Sequence, residues 1–169
     1  MRKLVVVAHD IRSAHNIGSL LRTCDGLGVE CVYMTGYTPH PLKKNDDRLP
    51  HIASRVTKLI HKTALGAESS VKWNASYTIE ELIPKLRSKN YKIIGLELVP
   101  DAIPLQDFNS TDRIALILGN EIRGITKDIL EMCDDSVCIQ MLGKKESLNV
   151  TEAASMALFY LRYIMNTVQ

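Results

Sequence analysis

Apolar positions along this chain follow two alternating periods. Leu4-Val5-Val6-Val7-Ala8 is an unbroken apolar run rich in β-branched side chains, the pattern of a parallel strand buried on both faces. Glu30 to Met34, Tyr91 to Leu98, Arg113 to Leu118 and Ser136 to Gln140 also read as strands, and Val71 to Trp73 as a short one. Between them the period becomes helical. From Asn16 to Leu27, the residues Ile17, Leu20, Leu21, Cys24 and Leu27 share one face, and Gly28 ends the run. Ile52, Val56, Leu59 and Ile60 predict a helix from Ile52 to Lys62. Thr78-Ile79-Glu80-Glu81 is a capping box that opens a helix to about Arg87, and Thr126 to Met132 forms a short one. His9 to His15 is a polar connection. Thr35 to Pro50 carries three prolines and reads as an irregular loop.

The pattern closes with a long helix over Asn149–Val168. Its apolar positions (Val150, Ala153, Ala154, Met156, Ala157, Leu158, Tyr160, Leu161, Ile164, Met165) cover most of its circumference. A helix apolar nearly all round is buried. In a chain of this size that suggests a subunit interface, with packing on the protein's own sheet as the alternative. Strands alternating with helices predict an α/β fold: a mostly parallel sheet with helices on both faces. Residues 1–169 read as a single domain.

Composition changes this picture little. The 169 residues are 46% hydrophobic and 24% charged, with a net charge of +2, ordinary for a globular domain. The distribution of charge says more. Six basic residues (Lys43, Lys44, Arg48, Arg55, Lys58, Lys62) stand against Asp46 and Asp47 between Thr35 and Lys62, so that segment carries +4 and the remainder −2. A locally basic segment suits an anionic partner; a solvated loop and helix face is the plainer reading. Cys24, Cys31, Cys133 and Cys138 lack metal-site spacing, so no metal is expected and buried thiols are. No apolar stretch approaches a membrane span, and the leading apolar run is too short for a signal peptide. A cytoplasmic location is expected.

Two segments carry the candidate chemistry. Leu116 to Gly124 and Met141 to Thr151 each run from an apolar strand into a polar, glycine-bearing loop and then toward a helix. Loops at strand ends are where an open α/β sheet places its ligand. Gly119 permits close approach to backbone, and Glu121 suits a cation or a ribose hydroxyl. Ser147 and Asn149 crowd polar groups at a helix start. Singly, each has a plain alternative: a turn glycine, or a helix N-cap. A third segment, Asn16 to Gly28, holds Asn16, which caps the helix or meets a ligand. It also holds Arg22, placed beside Leu21 and Cys24, where an arginine grips a carboxylate or a phosphate unless it is simply a surface residue. No Gly-x-Gly-x-x-Gly follows the first strand, and neither a P-loop nor a His-Glu-x-x-His motif occurs.

Together the three segments resemble the motifs of the SpoU (TrmH-type) RNA 2′-O-methyltransferases of the SPOUT superfamily. Asn16, Gly18 and Arg22 are similar to the first motif. Leu118, Gly119, Glu121 and Gly124 are similar to the second, and Met141 through Thr151 to the third. The likeness runs from residue 1 to about 165. Gln140 stands where proline commonly precedes the methionine, and Thr151 where serine is usual.

The resemblance implies a parallel α/β sheet with a C-terminal deep trefoil knot. It implies S-adenosylmethionine as cofactor, held by Gly119, Ile139 and Leu148, with Leu96 added at the end of the preceding strand. It implies a homodimer whose site combines both subunits, and an RNA substrate, transfer or ribosomal. Arg22, Asn16, Glu121, Ser147 and Asn149 would then be the catalytic set, with Arg22 a phosphate clamp and alkoxide stabiliser rather than a base, given a guanidinium pKa above about 12. Lys43, Lys44, Arg48 and Arg55 are the candidates for holding RNA phosphates. A non-catalytic RNA-binding protein of this fold and a base methyltransferase of the superfamily are the competing readings.

Overall fold

The computed structural model describes residues 2–110 and 113–164. In chain order the elements are β1 (Lys3–His9), α1 (Ala14–Gly26), β2 (Cys31–Thr35), α2 (Pro50–Ala64), α3 (Ala67–Ser70), β3 (Trp73–Asn74), α4 (Ile79–Arg87) and β4 (Lys92–Leu96). They continue with β5 (Ile103–Pro104), β6 (Arg113–Leu118), α5 (Lys127–Glu131), β7 (Asp135–Cys138) and α6 (Val150–Phe159). A wider helical turn, Tyr160–Ile164, extends α6. All seven strands pair in parallel in the order β3-β2-β1-β6-β4-β7-β5. β1 lies near the centre, with Lys3 opposite Arg113 and Ala8 opposite Leu118. Because the strands are parallel, their C-terminal ends share one edge, and every loop that follows a strand gathers there.

Alternate side chains of the central strands feed two cores. Leu4, Val6, Ile114 and Leu116 face α1, α2 and α6, meeting Ile17, Leu21, Ile60, Ala154 and Leu158. Val5, Val7, Ala115 and Ile117 face α4 and α5, meeting Leu82, Ile83, Leu86 and Ile129. The absence of a side chain at Gly18 seats α2 on α1: a Cβ there would fall 2.2 Å from the Ile60 carbonyl oxygen. At the opposite end of the sheet two arginines brace the chain. Arg162 is buried and donates to the carbonyls of Leu27, Gly28 and Arg2, so its charge sits at the C-terminal end of α1, where the helix dipole favours a cation. Arg2 donates to the Leu161 carbonyl at 2.7 Å.

The expected α/β architecture stands, with several local differences. Ser13, not Asn16, caps α1, its side chain accepting from the Asn16 amide. Pro50 belongs to a helix rather than a loop; it occupies the first turn of α2, where its missing N–H costs nothing. β4 stops at Leu96, because Glu97 and Leu98 turn into a loop. β7 stops at Cys138, two residues before Gln140. The short strand expected over Val71 to Trp73 lies at Trp73–Asn74. β5 and α3 are too short for any period to announce. The Thr78–Glu81 capping box is present in both arms. Cys24, Cys31 and Cys138 are buried, Cys133 is half-buried, and all four are free. The expected helix beyond Ile164, including Met165, lies outside the described residues.

α6 has two distinct sides. Ala154, Ala157, Leu158 and Leu161 are buried within the protein, packed on its own sheet and on α1. Met156, Phe159, Tyr163 and Ile164 remain 40–54% exposed along its outer side. Among the described residues, no helix is long and apolar enough to cross a membrane.

Candidate active site

The loops after β4, β6 and β7 frame a cleft of about 780 Å³, open mouth included. Leu96, Gly119, Ile139 and Leu148 all line it. The structure therefore brings together the four residues expected to hold a cofactor, which are drawn from four stretches of chain. Val150 and Ala153 of α6 complete an apolar wall, and Glu146 and Ser147 stand on the polar rim.

The β6 loop owes its shape to a few constraints. Asn120 and Gly124 exchange backbone hydrogen bonds of 3.1 and 2.9 Å. A Cβ on Gly119 would lie 2.4 Å from the Gly124 carbonyl carbon and 2.5 Å from the Ile125 nitrogen. Gly124 has φ +68°, and a Cβ there would strike the Glu97 carboxylate. That carboxylate accepts from the Ile125 amide at 2.7 Å and the Leu98 amide at 3.1 Å, tying the β4 and β6 loops together. Asn120 is buried and uses its full capacity. Its Oδ1 accepts from the Ile122 and Arg123 amides, and its Nδ2 donates to the Asp10 carbonyl and the Tyr37 hydroxyl. Glu97 and Asn120 were missed by sequence reasoning. Glu97 looks like the tail of a strand, and Asn120 fills a variable position of its motif.

Beside the cleft, three of the expected catalytic residues form one network. Glu121 accepts from the Arg12 amide (2.8 Å), the Ser13 amide (3.1 Å) and Asn16 Nδ2 (2.8 Å). The carboxylate thus stands at the N-terminus of α1, where the dipole favours it. Partial burial pushes its pKa up, but those three donors and its own amide outweigh burial and hold it below the usual carboxylate value. Asn149 Nδ2 reaches Asn16 Oδ1 at 3.5 Å. Asn149 Oδ1 caps α6, accepting from the Thr151 amide and hydroxyl. Asn149 is thus a helix N-cap whose amide also meets Asn16. Ser147 is exposed at the cleft rim.

The profile of the SpoU rRNA methylase family matches residues 3–159. The chain belongs to that family. It is 25% identical over 161 residues to a tRNA (guanosine(18)-2′-O)-methyltransferase from Aquifex aeolicus, covering 94% of this chain and 68% of that enzyme. It is 26% identical over 157 residues to a 23S rRNA (guanosine-2′-O-)-methyltransferase from Acinetobacter baylyi, covering 92% and 58%. The chain thus spans roughly three fifths to two thirds of the length of these curated relatives. An AdoMet-bound rRNA methyltransferase from Sinorhizobium meliloti shares the fold, with a TM-score of 0.80 at 18% identity, covering 98% of this chain and 58% of that one.

Within this SpoU-family fold, Arg22 stands apart. It does not line the cleft, and it makes no hydrogen bond or ion pair among the described residues. The buried side of α1 is Ile17, Leu20, Leu21 and Cys24, and Arg22 projects from the exposed side. The expectation that it lies near the apolar face is thus corrected: at ~100° per residue it has already turned away from Leu21. Its neighbour Thr23 bonds Ser155 of α6 at 3.1 Å, so α1 meets that helix one residue along from Arg22.

The four basic candidates divide. Arg48 is engaged within its own loop, donating to both Asp46 oxygens (2.8 and 2.6 Å) and to the carbonyls of His40 and Pro41. The Arg48 guanidinium holds the Asp46 carboxyl well below its ordinary range. Lys43 lies 3.9 Å from Asp47. Lys44 and Arg55 are exposed, and Arg55 shares a face of α2 with His51 and Lys58.

Proposed function

We propose that this chain is an S-adenosylmethionine-dependent RNA methyltransferase acting on a ribose 2′-hydroxyl of transfer or ribosomal RNA. The observation that carries the reading is the Glu121–Asn16–Asn149 network at the rim of a cleft walled by Leu96, Gly119, Ile139 and Leu148. The names of the relatives support the reaction and leave the RNA class open. The cleft fits the cofactor in its chemistry. Apolar walls suit an adenine ring, the backbone of a loop that excludes side chains at Gly119 and Gly124 offers polar groups at close range, and Ser147 and Glu146 stand at the rim. When bound, the cofactor supplies a sulfonium methyl that is already electrophilic.

The protein's own contribution is alignment and charge. Ser147 and Asn149 orient the ribose. Asn16 is held by Glu121, so Asn149 meets a fixed partner rather than a mobile one. Arg22 steadies the phosphate beside the target and the negative charge growing on the 2′-oxygen. Because Arg22 stands off its own cleft and Met156, Phe159 and Tyr163 are left exposed on the outer side of α6, the reading includes a homodimer closed over that side of α6. Arg22 of the partner subunit then completes each site. The reading also includes the trefoil knot: β7 lies beyond β4, yet α6 returns to pack on α1, so residues 139–149 recross the ends of β4 and β6.

Methyl transfer from labelled cofactor to total RNA, followed by recovery of nuclease-resistant dinucleotides, tests the reaction. Arg22→Ala should lower transfer on the order of a hundredfold while leaving cofactor affinity unchanged, with Arg22→Lys retaining part of the rate. Wild-type rates in both variants would remove Arg22 from the mechanism.

A further inference from the structure

We infer that the ring of Tyr37 is a platform on which the base of the target nucleotide stacks, making Tyr37 a specificity-determining residue for the proposed reaction. The inference rests on the methyltransferase reading above and adds to it a site for the base.

Tyr37 follows β2 on the edge of the sheet that carries the cleft, and it is 57% exposed. An exposed tyrosine is ordinarily mobile; this one is anchored at both ends. Its hydroxyl accepts from Asn120 Nδ2 at 2.8 Å. Its amide donates to Asp10 Oδ1 at 3.1 Å. Both neighbours in sequence are fixed as well. Gly36 has φ +64°, and a Cβ there would overlap the Asp10 carboxylate, so the turn closes only on glycine. Thr38 is buried, with its hydroxyl donating to the Ala8 carbonyl at 3.0 Å and accepting from the Ile11 amide at 3.1 Å. Asp10 itself has φ +55°, an unfavourable conformation for a non-glycine residue that the surrounding bonds maintain.

A large aromatic face is therefore held rigidly in solvent, although burial gives no reason to hold it. Its position gives it a use. Asn120, which grips the hydroxyl, lines the cleft and precedes Glu121, the residue that holds Asn16. The ring thus stands next to the groups that orient the ribose, where the attached base must lie. Arg12 and Arg123, both exposed, occupy the two loops that meet at Asn120 and bring two cationic residues to this edge of the cleft. An unstacked base presented on a loop is read by aromatic faces and flanking arginines. The hydroxyl accepts from Asn120 and keeps its own proton, which is available to an acceptor on the base or sugar.

The test uses the full chain and, as probe, total RNA from cells that lack it. Initial rates of labelled methyl transfer give kcat and KM for RNA, and calorimetry gives cofactor affinity. Tyr37→Leu should raise KM by about tenfold while leaving kcat and cofactor affinity near their original values. Tyr37→Phe, which keeps the ring and loses the hydroxyl anchor, should fall between Tyr37→Leu and the unaltered chain, and Tyr37→Trp, whose ring also stacks, should do the same. A Tyr37→Leu chain with an unchanged KM would overturn the platform alone. So would a Phe variant as impaired as Leu, because the hydroxyl bond would then carry the effect. Absence of transfer by the unaltered chain would overturn the methyltransferase reading and the platform with it.

Discussion

The β6 loop and the proline-bearing loop before α2 lie on the same edge of the sheet, and both are rich in groups that bind ligands. They do different things with those groups. In the β6 loop, Asn120 commits its hydrogen bonds to backbone and neighbouring loops, Glu97 ties the loop to the one after β4, and what remains is a hollow walled by Gly119 and its partners. In the loop before α2, Arg48 turns inward onto Asp46 and two carbonyls, and its charge is consumed within the loop. Residue type tells which ligands a loop has the chemistry for. Which polar groups are already satisfied tells whether the loop is free to bind them.

The largest effect is expected where the hollow depends on a missing side chain. Gly119→Ala puts a methyl against backbone atoms of Gly124 and Ile125 that cannot step aside. A strain of about 2 kcal/mol corresponds to a loss of about thirtyfold in cofactor affinity, readable by calorimetric titration. An unchanged affinity would show that the loop shape is not what forms the site.

The contrast sharpens within the basic segment itself. Lys44→Ala with Arg55→Ala should weaken RNA binding and flatten its logarithmic salt dependence by roughly one for each phosphate no longer neutralised, with the thermal midpoint unmoved. Arg48→Ala should do the reverse. It breaks a partly exposed ion pair and two hydrogen bonds to backbone, which should lower the thermal midpoint by roughly a few degrees, with RNA affinity preserved. Equal behaviour of the two variants would erase the distinction between engaged and available arginines.

The smallest effect concerns Glu121. Its folded pKa is lowered, so the stabilisation it supplies is fully present above the unfolded value near 4.5 and is lost as pH falls through the lower folded value. Thermal midpoints followed downward through that range should drop more steeply in the unaltered chain than in Glu121→Gln. Parallel curves would mean that the carboxylate contributes nothing as a charge.

Long periodic segments were legible in sequence because burial on one face writes a period. β6 and α4 with its capping box fall where that reasoning puts them. β5 and α3 are held by tertiary pairing alone and leave no period. At the site, the placement of Gly119, Ile139, Leu148 and Leu96 on one wall was legible only through resemblance, since nothing local says that the ends of three strands converge. Arg22 was misread because the residues flanking it in sequence are buried while its own direction on the helix is outward. Arg48 looked like its basic neighbours; only the fold shows that Asp46, two residues away, has claimed it.

The brace at the far end of the sheet bears on how the chain is made. Arg162 fastens to carbonyls of Arg2, Leu27 and Gly28, and Leu158 and Leu161 fill the core that Leu4 and Val6 open. During synthesis the first strand and first helix leave the ribosome more than a hundred residues before their final covering exists. Contacts of such long separation form slowly, and the waiting strand offers an apolar face to the cell meanwhile. β1 and α1 are made well before α6, yet they are among the last parts of this fold to be finished.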